Sequence, residues 1–181
     1  MARVETAAAL VNALATSYAG GRAVDPPTDR NELRERAERV LDTDVSPKEA
    51  EDLRRLAKRL RGVFAALDDG RPDDAAEVLN HLLADSGARP HLQRNAPGQW
   101  HLHFHGPDAG LVQGWTAGCA TGLAYVLGSA SVARLGICAA PACERVFLDT
   151  SRNGSRRFCS TPCQHRVKAA AYRARQRAAQ S

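Results

Sequence analysis

Four of the chain's five cysteines fall as two close pairs, Cys138/Cys143 and Cys159/Cys163, with fifteen residues between the pairs. Thiols spaced this way, set among Pro, Ser and Arg rather than in an apolar run, read as a metal site. Four thiolates suit one structural Zn2+, because they close a tetrahedral shell and leave no position for chemistry. The C-x4-C and C-x3-C spacings are wider than the commonest C-x2-C. A redox dithiol or four unrelated core thiols are the alternatives, and both fit this composition poorly. His165 lies near enough to offer itself as a ligand in place of Cys163.

The residues around the pairs predict a small finger. Cys138–Cys143 is a knuckle, and Arg145–Leu148 is strand-like. Asn153-Gly154 carries a hairpin signal, and Arg157-Phe158 is the expected returning strand. Ser160 or Thr161 caps a helix with Pro162 in its first turn. That order is a treble-clef layout, with Phe147, Phe158 and Tyr172 as its expected core, too little to fold without metal. Asp149 is expected to pair with a nearby arginine.

This run resembles the CGNR-type zinc finger through Phe147, Asp149, Ser151, Arg152, Asn153, Ser155, Arg156 and Arg157. The tetrapeptide that gives that family its name is here Cys163-Gln164-His165-Arg166, which keeps the arginine. Ala9-Leu10-Val11-Asn12-Ala13-Leu14 is similar to the opening of the ABATE domain, which precedes the finger in such proteins. The resemblance implies a bacterial, stress-linked transcription regulator.

Charge is unevenly spread. Residues 1–137 carry 16 Lys/Arg against 18 Asp/Glu, whereas residues 138–181 carry nine against two, a net of −2 beside +7. A basic segment on a near-neutral body is the footprint of a polyanion binder. The expected nucleic-acid contacts are Arg152, Arg156 and Arg157 before the last helix, and Arg166, Lys168, Arg173, Arg175 and Arg177 on it. No apolar run reaches membrane-spanning length. The alanine-rich start, broken by Glu5 and Asn12, reads as a folded helix rather than a signal peptide, and the expected location is cytoplasmic.

The elements that carry these residues are mostly helical. Val4, Ala7, Val11, Leu14 and Tyr18 predict a first helix ended by Gly20-Gly21, and a second, charged helix starts near Asp29. Ser46, Pro47 and Glu49 form a capping box for a third, whose apolar face runs from Leu53 to Leu67. Its Arg54, Arg55, Arg59 and Arg61 read as a solvated face. A fourth helix follows from Pro72 to Ser86. Pro90–Arg94 and Gln99–His105, joined by Asn95-Ala96-Pro97-Gly98, predict the first domain's one hairpin. Strict alternation puts His101, His103 and His105 on one face, a candidate ligand site, and Trp100, Leu102 and Phe104 on the other. One metal would reach at most two of those imidazoles. From Pro107 a long helix carries Cys119 as a core residue. Its Gly114, Gly118 and Gly122 predict close approach by a neighbour.

The sequence thus predicts a mainly helical α+β chain: residues 1–135 as a regulatory, ligand-sensing domain with a small β-hairpin, and 136–181 as a treble-clef-like zinc finger ending in a basic helix. A short linker predicts geometric coupling between them. The function expected is zinc-dependent binding of duplex DNA, with a small-molecule ligand for the first domain. An RNA- or ribosome-associated zinc module, or a zinc scaffold for protein contacts, is the alternative. A hydrolytic metalloenzyme lacks a matched base or nucleophile.

Overall fold

In the computed structural model, residues 2–96, 98–129 and 134–180 are described. The architecture is the mainly helical α+β one expected. The chain begins with α1 (Ala2–Leu14), which buries Val4, Ala7, Leu10, Val11 and Leu14. It ends earlier than the apolar stripe suggested. Tyr18–Ala19 (β1) and Arg22–Ala23 (β2) form a small antiparallel ribbon, in which Tyr18 is exposed. Gly20 and Gly21, at φ +60° and +89°, are its two-residue turn. Two successive positive φ values favour glycine, and such a turn matches the strand twist.

Helix α2 (Arg30–Leu41) is capped by the Asp29 carboxylate, which accepts from the amides of Asn31 and Glu32. Helix α3 (Pro47–Asp68) has the complete reciprocal capping box of Ser46 and Glu49. Its stripe from Leu53 through Leu60 to Phe64 is the centre of the core. Helix α4 (Pro72–Ser86) stops at Gly87 in the left-handed region. Strands β3 (His91–Ala96) and β4 (Gln99–His103) pair antiparallel with Leu92 opposite Leu102. Pro97 of the expected turn lies outside the described residues.

Helix α5 (Leu111–Leu127) starts four residues after the expected Pro107. Its glycines are where neighbours press close. A Cβ on Gly114 would stand 3.2 Å from His105, and on Gly118 and Gly122 it would stand 3.2 Å from Arg3 and Val4. The glycine stripe therefore seats the start of α1 on one side and the end of the hairpin on the other. Cys119 is fully buried, and burial pushes its thiol up to about 12, an inert core residue.

Residues 130–133, in the expected linker, lie outside the described residues. Beyond them β5 (Leu135–Ile137) pairs antiparallel with β6 (Val146–Leu148), and α6 (Thr161–Ala178) ends the chain. The hairpin is therefore not the one predicted. Arg145–Leu148 returns onto β5, with the cysteine knuckle as its connection, rather than onto Arg157-Phe158. Leu135, Val146 and Leu148 join the same core as α1 and α3. Among the described residues no helix is long and apolar enough to cross a membrane.

Candidate metal centre

Two elements bring the four cysteines together. Cys138 and Cys143 bracket the connection between β5 and β6, where Ala142 takes a left-handed φ of 51°. Cys159 precedes the Ser160 cap of α6, and Cys163 sits in its first turn, its amide donating to the Ser160 hydroxyl. All four sulfurs lie within 4.8 Å of one another. The separations Cys143–Cys159, Cys159–Cys163 and Cys163–Cys143 are 3.8, 3.7 and 3.8 Å. Zn–S bonds of about 2.3 Å make a tetrahedron with edges of about 3.8 Å. The donor set therefore fits one structural zinc in size as well as chemistry.

The surroundings fit a negative cluster. Four thiolates around Zn2+ leave a charge of about −2. The amide of Gly20 donates to Cys143 Sγ at 3.4 Å, and that of Cys159 donates to Cys138 Sγ at 3.3 Å. Arg166 turns back towards the cluster, and its Nε and Nη2 are buried without a hydrogen-bond partner. Such orphaned donors are costly unless they face anions. Burial pushes the Cys138 thiol up and that of Cys159 up to about 12. At Cys163 burial acts the same way but is outweighed by hydrogen bonding from Ser160, Cys159 and Cys143 and by the Arg166 guanidinium beside it, which hold it down to about 7. His165 is exposed and outside the converging group.

The body of the protein grips this centre at the knuckle. Gly21 N donates to Ala142 O at 2.9 Å and Glu144 N to Tyr18 O at 2.9 Å. Ser17 N donates to the Glu144 carboxylate at 3.1 Å. Arg61 does not belong to a solvated face: it donates to Glu144 O at 2.9 Å and pairs with its carboxylate at 3.3 Å. Asn12 Nδ2 donates to Val146 O, and Val146 N donates to Asn12 Oδ1, both at 2.9 Å. Helical periodicity gives no sign of Asn12, Gly20 or Arg61 acting in this way. Asn12 as the one polar residue in an apolar run was the available signal.

The expected basic residues separate into two sets. Arg156 is engaged in the finger itself: its guanidinium donates to Phe158 O at 2.8 Å and to Cys159 O, and lies over Phe147. Arg166 packs on the β1–β2 turn, where a Cβ on Gly21 would come within 2.5 Å of it. Arg166 is therefore held against the body, whereas it was expected among the nucleic-acid contacts. Arg152, Arg157, Lys168, Arg173, Arg175 and Arg177 are exposed. Asp149 is buried, and the arginine pairing expected of it is replaced by backbone donors, the amides of Ser151 at 2.8 Å and Arg156 at 2.7 Å. Hydrogen bonding by the Ser151 side chain, then these amides and the charge of Arg134, hold its carboxyl below the usual range. Phe147 is buried and Phe158 packs on the cysteines, but Tyr172 is exposed and contributes nothing to the finger's core.

The histidines regroup. β4 ends at His103, yet His103 and His105 still share one side, with Leu102 and Phe104 bordering the other. His103 Nδ1 lies 3.3 Å from His105 Nε2, and His91 joins them from β3, with ring centroids 5.6 and 5.8 Å away. His101 is exposed. The His103/His105 side faces α5, while Leu92, Trp100 and Leu102 are exposed.

Two family models match. Residues 5–135 match ABATE, described as "Putative stress-induced transcription regulator", and residues 134–176 match the CGNR zinc finger. No curated protein matches the chain. With the first model spanning well over half its length, the chain belongs to the ABATE family and carries a CGNR zinc finger at its C-terminal side.

Proposed function

We propose that the protein is a zinc-dependent duplex-DNA-binding regulator rather than an enzyme, with residues 1–135 as its sensing part and 136–181 as its DNA-binding part. The observation that carries this is α6. Its 18 residues extend about 27 Å. From Lys168 onward every described residue is exposed, and Thr161–Ser181 includes five basic residues and no acidic one. A helix anchored at its first turn by metal and bare beyond it is suited to lie along a polyanion. Arg173, Arg175, Arg177 and Lys168 would make the helix contacts, and Arg152 and Arg157 would add phosphate contacts from the preceding turn. Forked guanidinium donors serve both phosphate and guanine. Few aromatics interleave with these cations, which disfavours base stacking on single strands.

Fluorescence anisotropy of the zinc-loaded protein on a random duplex, over a salt series, tests the reading. Replacing Arg173 and Arg177 together by Ala should flatten the log–log salt slope by about two units, with zinc content unchanged. Absence of duplex binding at low salt would overturn it. Tighter binding of single-stranded RNA than of duplex would favour an RNA-associated module instead.

A further inference from the structure

A second feature lies away from the metal. Between the hairpin, α1, α5 and the finger is a cavity of about 490 Å³. That volume is within the range of small-molecule sites, roughly 300–1,000 Å³. Leu102 and Phe104 form one wall, Val4 and Val126 another, and Leu148 of β6 closes the finger side. Gly118 and Gly122 form part of its lining, where Arg3 and Val4 pack closely against α5.

The lining has two cations and no Asp or Glu: Arg3 from α1 and Arg134 just before β5. Arg134 Nη1 donates to the carbonyls of Asp149 and Ser151 at 3.0 and 2.8 Å, which fixes its place. The Arg3 stem lies along the α5 glycines and its guanidinium lies 4.5 Å over Trp115. Among the described residues Arg3 makes no ion pair. A partly buried guanidinium held by an aromatic face, beside an apolar cavity without carboxylates, is a charge without a counterion.

We propose that this cavity binds a small amphipathic organic anion, an aromatic or branched carboxylate or sulfonate, with its apolar body between Leu102, Phe104, Val126 and Leu148 and its acid group on Arg3. This names a ligand class for the sensing part but does not depend on DNA binding, which the test omits.

Two fluorescent probes distinguish body from charge: 8-anilinonaphthalene-1-sulfonate, which is anionic, and N-phenyl-1-naphthylamine, which is neutral. The zinc-loaded full chain should bind one sulfonate probe per molecule. Thr121→Phe, which fills the cavity from the half-buried Thr121 position, should weaken both probes at least about tenfold. Arg3→Gln should weaken the sulfonate about tenfold and the neutral probe less than about twofold, with Arg3→Lys recovering part of the loss. Circular dichroism and zinc content serve as fold checks for each variant. Tyr172→Ser, on the exposed part of α6 and not in the cavity lining, should change neither affinity. Several probes per chain, undiminished binding to Thr121→Phe, or equal effects of Arg3→Gln on both probes would overturn the proposal.

Discussion

Replacing Asn12 by Ala should cost the whole protein about 3 kcal/mol, although Asn12 touches no metal ligand. The reason is strand parity. Cys138 N donates to Arg145 O at 2.9 Å and Asp149 N donates to Arg134 O at 2.6 Å, so residues 145, 147 and 149 turn their backbone towards β5. Val146, between them, must turn its own N–H and C=O the other way, into the side covered by α1. It is 1 % exposed, so water cannot serve those groups. The Asn12 amide does, donating to one and accepting from the other, as a third strand would. Alanine leaves two buried backbone groups unpaired, each worth roughly 1–3 kcal/mol, less the cost of burying the amide itself. Asn12→Asp keeps the acceptor but sets an oxygen against Val146 O, and should cost at least as much. Urea unfolding of the zinc-loaded protein by circular dichroism measures both, with exposed Asn31→Ala as a control expected within about 0.5 kcal/mol of the parent. A cost for Asn12→Ala as small as the control's would refute the claim that this side chain completes the sheet.

Chelation should remove a structural contribution on the order of 10 kcal/mol. Because Leu135, Val146 and Leu148 share the main core, it should also speed amide exchange in α1, and unchanged exchange there would show that the finger unfolds alone. His165→Ala should retain zinc and Cys163→Ala should lose it, read by metal content; the reverse would move the ligand to His165. Gly21→Val places a branched residue at φ +89° and a Cβ within 2.5 Å of Arg166, and should lower the thermal midpoint by several degrees, whereas Gly70→Val, in open space, should cost only its own backbone strain. Burial, then the charges of His105, His91, Arg3 and His101, lower the His103 pKa. A histidine depressed in the folded state binds fewer protons there than when unfolded, so its contribution is lost as pH falls below about 6.5. His103→Gln should reduce the loss of stability on acidification in that range, and an identical pH profile would refute this.

Local chemistry was legible in the sequence. Ser46 and Glu49 are three residues apart and meet within one turn, and the cysteine pairs carry their ligand set in their spacing. Pairings between distant segments were not. Asn153-Gly154 does form a turn, with Gly154 at φ +58°. But Asp149 collects the amides of Ser151 and Arg156, tying the chain after the turn by a side chain instead of a ladder, and β6 pairs with β5. The ribbon at Gly20-Gly21 was hidden because Tyr18 falls in register with the α1 stripe while lying beyond its end. Alternation along β4 gave two faces but not which one meets α5. Gly114 leaves room for the His105 ring, so the His103 and His105 imidazoles lie against α5 there, while Trp100 is exposed and Leu102, though partly exposed, borders the cavity with Phe104.

The metal centre and the body cannot be treated as separable modules. Among the described residues, Ala140, Phe158, Val167 and the cysteines themselves cluster on the zinc ligands, too little apolar area to hold α6 in place without metal. The strand residues Leu135, Val146 and Leu148 are spent on the other core. Strand β6 therefore belongs to both: its start leaves the knuckle that supplies Cys143, its middle is held by Asn12, and its end closes the cavity at Leu148. The β1–β2 turn makes the same connection from the other side, with Gly20 donating to Cys143 and Gly21 leaving room for Arg166, three residues after Cys163 on α6. The direction in which α6 leaves the molecule is set by these few contacts. Any ligand that displaces Leu148 or Arg134 acts on the strand and turn that fix it, with no flexible hinge needed between the two.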